Sequence, residues 1–375
     1  MTFSRAYLGV FREVLSTFAL ASIILLAVVL YGFYYPAPYA HQTATQLPVV
    51  LVDEENSTLT RALARKLSDT REARIVAQAQ STDEAERMVR HRQADGILLI
   101  SHGFSRSLLT GAAAGGIGIF VNGTYLIRAR DIGGAVQAAV MAVALERLGP
   151  VAQGLHLRAP VEIVERPLFN TREGYADYVF PAVAAIILQQ TLLFGTAMLA
   201  ADRRKRGEGA WSLPGFLGTW TALATIGCFG AAFYFGWVFW FQDVPRAGNL
   251  AGLVLAVPLF AFAVTGLGLM LGSMFDSAER ALQVLIPTSI VLFFLAGAAW
   301  PLSSMPGWVS ALAHLSPATC GAQTFVRLNE MGAPLRDVAG YLAGLAVLAA
   351  IYGAIAARRL CSAPRGGSIQ SSSGQ

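Results

Sequence analysis

The residues able to do chemistry are few in this chain and poorly arranged for it. Only two lysines occur, Lys66 and Lys205, and neither completes a G-x-x-x-x-G-K-[ST] loop. No segment can therefore cradle nucleotide phosphates as a Walker A loop does. His41, His91, His102 and His156 are scattered without ligand spacing or paired cysteines, which reads as solvated or core histidines and no metal site. Asp53, Glu54 and Glu55 are adjacent acids in a turn, a pattern that suits a solvated cap better than an acid/base pair. Ser101-His102-Gly103 lacks the glycine spacing of a nucleophile elbow. Cys228, Cys320 and Cys361 form no disulfide framework. No enzyme is expected here, and no cofactor within the chain.

What the chain does contain is apolar sequence. The hydrophobic fraction is 55%, charged residues are 14%, and mean hydropathy is +0.53. Soluble domains carry about 25% charged residues. One long apolar run covers 16–36, and five more follow a long soluble-looking stretch, at 178–201, 216–241, 250–274, 281–302 and 338–357. Each approaches or exceeds the ~20 residues that a helix needs to cross a ~30 Å hydrocarbon layer. The layout predicts a polytopic α-helical membrane protein with six transmembrane helices (1 + 5) and an inserted α/β extracytoplasmic domain. Its parts are a cytoplasmic amphipathic helix (1–15), transmembrane helix 1 (16–36), the external domain (37–175), a five-helix region (176–360) and a disordered cytoplasmic tail (361–375).

Charge placement sets the direction. Arg5 and Arg12, the run Arg203–Arg206, Arg280, and Arg358, Arg359 and Arg365 all flank span ends on one side. The positive-inside rule makes that side the cytoplasm, with both termini in it and the protein in the inner (plasma) membrane. The net charge of +5 is then a topology signal rather than a nucleic-acid footprint. The first run is longer than a signal-peptide core and lacks a good cleavage site, so it reads as an uncleaved anchor. Before it, Phe3, Tyr7, Leu8, Phe11 and Leu15 share one helical face, either at the inner membrane surface or as an extension of the span.

In the insert, 47–52, 74–78, 94–100 and 117–121 read as strands. Helices are expected from Ser57 or Thr58 through Leu67, from the capping-box spacing at Ser81–Glu84 to about Arg92, and over 124–148, with 161–166 closing the domain. That order implies a small domain on a largely buried mixed sheet.

Within the spans, carboxylates are essentially missing; Asp243, Asp276 and Glu279 fall at ends or in loops. A proton-driven carrier would need acids at depth. The polar residues that do enter the spans are Gln189, Gln190, Gln283 and Thr288. They either line a pathway or hydrogen-bond between helices. The run GLGLMLG (266–272) permits close helix approach, within the bundle or between two copies. Trp300, Pro301, Met305, Pro306 and Pro317 belong to an external loop, 301–317, expected to dip into the outer leaflet with its aromatics at the interface.

Several motifs, in order, resemble the ABC-2 type transporter permeases, in the multidrug-efflux-like subgroup with a large extracytoplasmic domain after the first span. They are PVVLVDEENS (48–57), DGILLISHGFSRSL (95–108), Phe169-Asn170 before YVFP (178–181), and AGAAWPLSSMP (296–306) before Leu315-Ser-Pro317. The resemblance implies a dimer with a second permease copy or a paralogue. It also implies an ABC ATP-binding subunit as partner, which would carry ATP and Mg in place of this chain. The family's Glu-Arg-x-x-Gly-Thr-x-Glu-x-Leu element after the second span is replaced here by DRRKRGEGAWSL (202–213), a departure that bears on which ATPase is bound.

The docking surface for that ATPase is expected on Arg203, Arg204, Lys205, Arg206, Glu208 and Trp211, with Asp276, Glu279 and Arg280 as secondary candidates. The basic run could instead only set topology, or contact membrane lipid. The leading expectation is an exporter of hydrophobic or amphipathic compounds whose external domain could meet a periplasmic adaptor. Export of an envelope lipid or polysaccharide, and a non-transporting membrane-anchored assembly or signalling protein, stay open beside it.

Overall fold

A computed structural model describes residues 1–39, 45–91, 93–110, 115–121, 126–155, 175–208, 210–244, 248–297 and 300–362. The expected closing segment 161–166, Phe169-Asn170, His41, His156 and the tail beyond 362 lie outside the described residues. The chain divides into two compact units, one of Met1–Gln42 with Pro167–Gln375 and one of Thr43–Arg166.

The first unit is helical. α1 (Phe3–Ser16) buries Ala6, Val10 and Val14, one residue per turn along a single seam. Thr17 then leaves helical geometry (φ −102°, ψ 106°), and the chain turns through 91° into α2 (Phe18–Tyr34). α1 is therefore a separate helix and not an extension of the first span. α2 is a sixth candidate span only when taken with α1 as one bent pair. Five further helices are long and apolar enough to cross a membrane. They lie in α7 (Tyr175–Lys205), α8 (Leu213–Phe241), α9 (Leu250–Gly272), α10 (Ala278–Leu295) and α13 (Leu335–Cys361). The fifth span stops short of the expected residue 302, because α10 ends at Leu295 and Gly297 follows with φ +79°.

Local chemistry marks where these helices start and stop. The side chains of Ser212, Asn249 and Ser277 accept the backbone N–H groups of Gly215, Gly252 and Arg280 and cap α8, α9 and α10. α7 ends at Gly207, whose φ of +69° a side chain would resist, with the N–H of Gly207 on the Arg204 carbonyl at 3.0 Å. α7 is the central element, with 78% of its apolar window buried inside the unit. α9 approaches it closely through small residues. A Cβ on Gly272 would stand 2.5 Å from the Ala197 carbonyl oxygen, and one on Gly268 2.7 Å from the Thr196 Cβ. Gly266 meets the backbone of Gly353 on α13. The glycine run thus serves packing within the bundle, where close contact substitutes for a hydrophobic drive that lipid cannot supply.

After α10 come α11 (Gly307–Ala313) and α12 (Pro317–Phe325), the latter running on through a π-helical turn, Val326–Glu330. Every residue of α12 except Gln323 is buried. Trp300 is exposed; within the loop 301–317, Pro301 and Pro306 are exposed, Met305 is half-buried, and Ala313, Ser316 and Pro317 are buried. The most continuously buried stretch here is α12, which follows the expected loop.

The second unit holds a four-stranded sheet in the order β2-β1-β3-β4. β1 (Leu47–Asp53) runs parallel to β2 (Ala73–Gln78) and β3 (Gly96–Ile100), and β4 (Ile117–Val121) runs antiparallel to β3. Alternate residues of β1 feed opposite faces. Val49 and Leu51 pack with Leu59, Leu63 and Leu67 of α3 (Thr58–Ser68) and Ile132, Val136 and Ala139 of α6 (Leu126–Leu155). Val50 and Val52 pack with Ala85 of α4 (Thr82–Arg90). Ser57 and Ser81 cap α3 and α4. Asp53 accepts the N–H groups of Glu55 and Asn56, so it shapes the turn. A short helix absent from the expected order, α5 (Phe104–Thr110), is tied to that turn by the Ser105 N–H on Glu55 Oε2 at 3.0 Å.

Candidate functional site

Two places in the helical unit gather polar groups that packing alone does not require. The first joins α1, the end of α7 and the start of α8. Arg203 is buried and donates from Nη2 (2.7 Å) and Nε (2.9 Å) to Glu13 Oε2, and from Nη1 to Thr219 Oγ1 (3.1 Å). Arg206 takes the other Glu13 oxygen and also bonds Glu208 at 2.9 Å. The Trp211 ring lies 5.2 Å from the Arg203 guanidinium carbon, and its backbone N–H donates to the Leu360 carbonyl at 2.9 Å. Burial pushes the Glu13 carboxyl up, but Arg203 and Arg206 outweigh it and hold the group below the ordinary carboxylate range. α1 is also pinned by the Tyr7 hydroxyl to Thr225 Oγ1 (3.3 Å) and by Ser212 Oγ to the Met1 carbonyl (2.8 Å). Glu13 thus ties α1 to the end of α7 through Arg203 and Arg206.

The remaining charged candidates are exposed and loosely tied. Lys205 meets Glu279 at 3.8 Å and Arg280 meets Asp276 at 3.1 Å. Exposed pairs of this kind contribute about 0–1 kcal/mol. Arg204 turns to the Ser273 carbonyl at the end of α9.

The second place is the middle of α7, where the two adjacent glutamines part company. Gln189 is fully buried, and its Oε1 accepts the Ala318 N–H at 2.6 Å while the amide pairs with Ser316 Oγ at 3.1 and 3.2 Å. It does the work of an N-cap for α12, since Ser316 makes no cap bond of its own. Gln190, one residue on, has neither amide atom bonded. It lines a cavity of about 540 Å³ between α2, α7 and α10, whose other walls include Tyr31, Ile187, Phe194, Ile286 and Phe293. An unpaired buried amide is costly, and no described residue offers this one a partner. On α10, Gln283 is exposed and Thr288 bonds back to the Leu285 carbonyl of its own helix.

Sequence reasoning passed over Glu13, although it is the lone acid in the helix FSRAYLGVFREVLS. It passed over Glu330 as well. Burial, and then Asp177, push the Glu330 carboxyl up to about 9, and its Oε1 has no hydrogen-bond partner. No helical or alternating pattern marks a half-buried acid in a π-helical turn.

The helical unit, with its five or six candidate spans, is that of a multi-pass helical membrane protein. The sequence pattern of the family described as "ABC-2 family transporter protein" matches residues 18–358, and the chain belongs to that family. Two curated relatives, both called "Probable multidrug ABC transporter permease YbhR", come from Escherichia coli K12 and O157:H7. Each is 22% identical over 165 residues, covering 42% of this chain and 44% of the relative. The match thus spans less than half the length of those relatives.

Proposed function

We propose that this chain is the membrane-spanning permease of an ABC exporter, powered by ATP hydrolysis on a separate subunit, and that it moves hydrophobic or amphipathic compounds outward. The observation that carries the reading is the Gln190 cavity: apolar walls from three helices surround one unpaired amide, a lining suited to greasy compounds with a single polar group. The multidrug relatives support the same substrate class. α10 forms one wall and has only 17% of its apolar window buried within the chain, which leaves a surface for a second permease copy or a paralogue.

Both termini and the basic ends of α7 and α13 face the cytoplasm in this reading, and the unit of Thr43–Arg166 is extracytoplasmic, where a periplasmic adaptor could meet it. The ATPase docks against α1 and the turn at 206–211. Its closure shifts α1, the Glu13–Arg203 pair carries the shift into α7, and α7 reshapes the cavity wall that holds Gln190. The coupling residues do no catalysis; they transmit displacement. Affinity capture of the full chain from membranes tests the assembly: a Walker-type ATPase should co-purify, and capture of the permease without one would argue for a membrane-anchored assembly protein.

A further inference from the structure

Three helix ends meet at the basic side of the bundle, and the arginines they bring together are not used by the Glu13 cluster. Arg204 donates from Nη1 to the Ser273 carbonyl, and Arg359 donates from Nε to Ser273 Oγ at 2.9 Å. Ser273 itself is buried as the C-cap of α9. The two guanidinium groups come from α7 and α13, far apart in sequence, and both line a crevice of about 510 Å³ beside Trp211, Leu360 and Glu208. Neither forms an ion pair among the described residues. Glu208, the crevice's one carboxylate, is engaged by Arg206 at 2.9 Å and lies 3.9 Å from Arg203. Each guanidinium spends one of its five N–H groups on Ser273, so most of both forks remains for a ligand.

We propose that this crevice binds the phosphate of an anionic glycerophospholipid. Paired forks suit phosphate oxygens, which accept bidentate bonds from Arg, and the net charge of the lining is positive. An indole and a leucine beside the forks suit the glycerol and upper acyl region, as aromatic side chains do at membrane interfaces. The proposal rests on reading the ends of α7, α9 and α13 as lying at the inner membrane surface; it does not need the ATPase or the export activity. A lipid bound here would bridge α7, α9 and α13 at the level where α1 and the 206–211 turn are expected to receive the ATPase.

The test is native mass spectrometry of the full chain in a mild non-ionic detergent, titrated with phosphatidylglycerol or phosphatidylcholine. The first phosphatidylglycerol should be retained in preference to phosphatidylcholine. Arg204→Gln and Arg359→Gln should each weaken it roughly tenfold, the scale of one hydrogen bond to a charged group. Arg358→Gln, an exposed neighbour outside the crevice lining, should leave retention unchanged. An equal loss with Arg358→Gln would reduce the effect to general surface charge and overturn the proposal. So would equal retention of the two lipids by the native chain, which decides the matter even where a glutamine variant fails to fold. Stabilisation by millimolar inorganic phosphate equal to that by phosphatidylglycerol would point to a free-anion site and overturn the lipid assignment.

Discussion

Arg203 and Glu13 stand 190 positions apart and share a two-bond contact: two guanidinium N–H groups converge on one carboxylate oxygen at 2.7 and 2.9 Å. Both side chains are largely buried, at 8% and 16% exposure. Loss of Glu13 leaves the buried Arg203 guanidinium with Thr219 and, at 3.9 Å, Glu208, and stranding a buried charge in this way costs more than the pair contributes. Glu13→Gln should therefore lower the thermal midpoint in detergent, with a cost of about 2–4 kcal/mol. Arg203→Met in the same chain should recover part of the loss. Additive losses in that double-mutant cycle would mean that the pair is not coupled.

The two glutamines of α7 should separate cleanly. Gln189→Leu strands the Ala318 N–H inside the bundle and should destabilise by about 1–3 kcal/mol. Gln190→Leu removes an amide that bonds nothing, and should leave the thermal midpoint unchanged or raised. Its effect should appear in transport, as a shift toward substrates without a polar group. Thermal unfolding and efflux assays on the two variants check this, and equal destabilisation would contradict it.

Glu330 gives a pH dependence with a defined sign. Its folded pKa of about 9 lies above the ordinary carboxylate value, so the folded state holds the proton over a range where the unfolded chain has released it. The stability associated with that proton is full below about pH 4.5 and is lost as pH rises toward 9. Glu330→Gln should raise the thermal midpoint at pH 8 and leave it little changed at pH 4. The gap should widen by at most about 1.4 kcal/mol per pH unit. A gap independent of pH would show that Glu330 is ionised in the folded protein.

Gly272→Val tests the close packing of α9 on α7. A Cβ at this position already meets backbone at 2.5 Å, so the helices must part. The loss should exceed about 2 kcal/mol, in the upper part of the range that overpacking costs. Gly236→Ala, where nothing stands within 4 Å, is the control and should change little.

Much of the helical unit is legible in the sequence because long apolar runs leave few alternatives. The five later spans sit within a few residues of the runs that announce them, except where Gly297 stops α10 early. Gln189 and Gln190 are also visible as polar residues at depth. Their different roles are not, since one-residue spacing on a helix turns them to different neighbours, and only the fold brings Ser316 to one of them. The Arg203–Arg206 run is conspicuous, yet its central partner Glu13 lies on a separate helix, and no local pattern links the two. α12 escapes sequence reasoning because a nine-residue helix is too short to register as a span, although it is among the most buried elements of the bundle.

The central claim is that displacement passes from a docked ATPase through α1 into α7. Its most direct test is ATP hydrolysis by the co-purified ATPase in lipid, with and without a transported compound, for the native permease and for Glu13→Gln under conditions where both remain folded and assembled. The account expects the compound to stimulate hydrolysis several-fold with the native chain, and the stimulation to vanish in the variant while basal hydrolysis persists. Full stimulation with Glu13→Gln would contradict it.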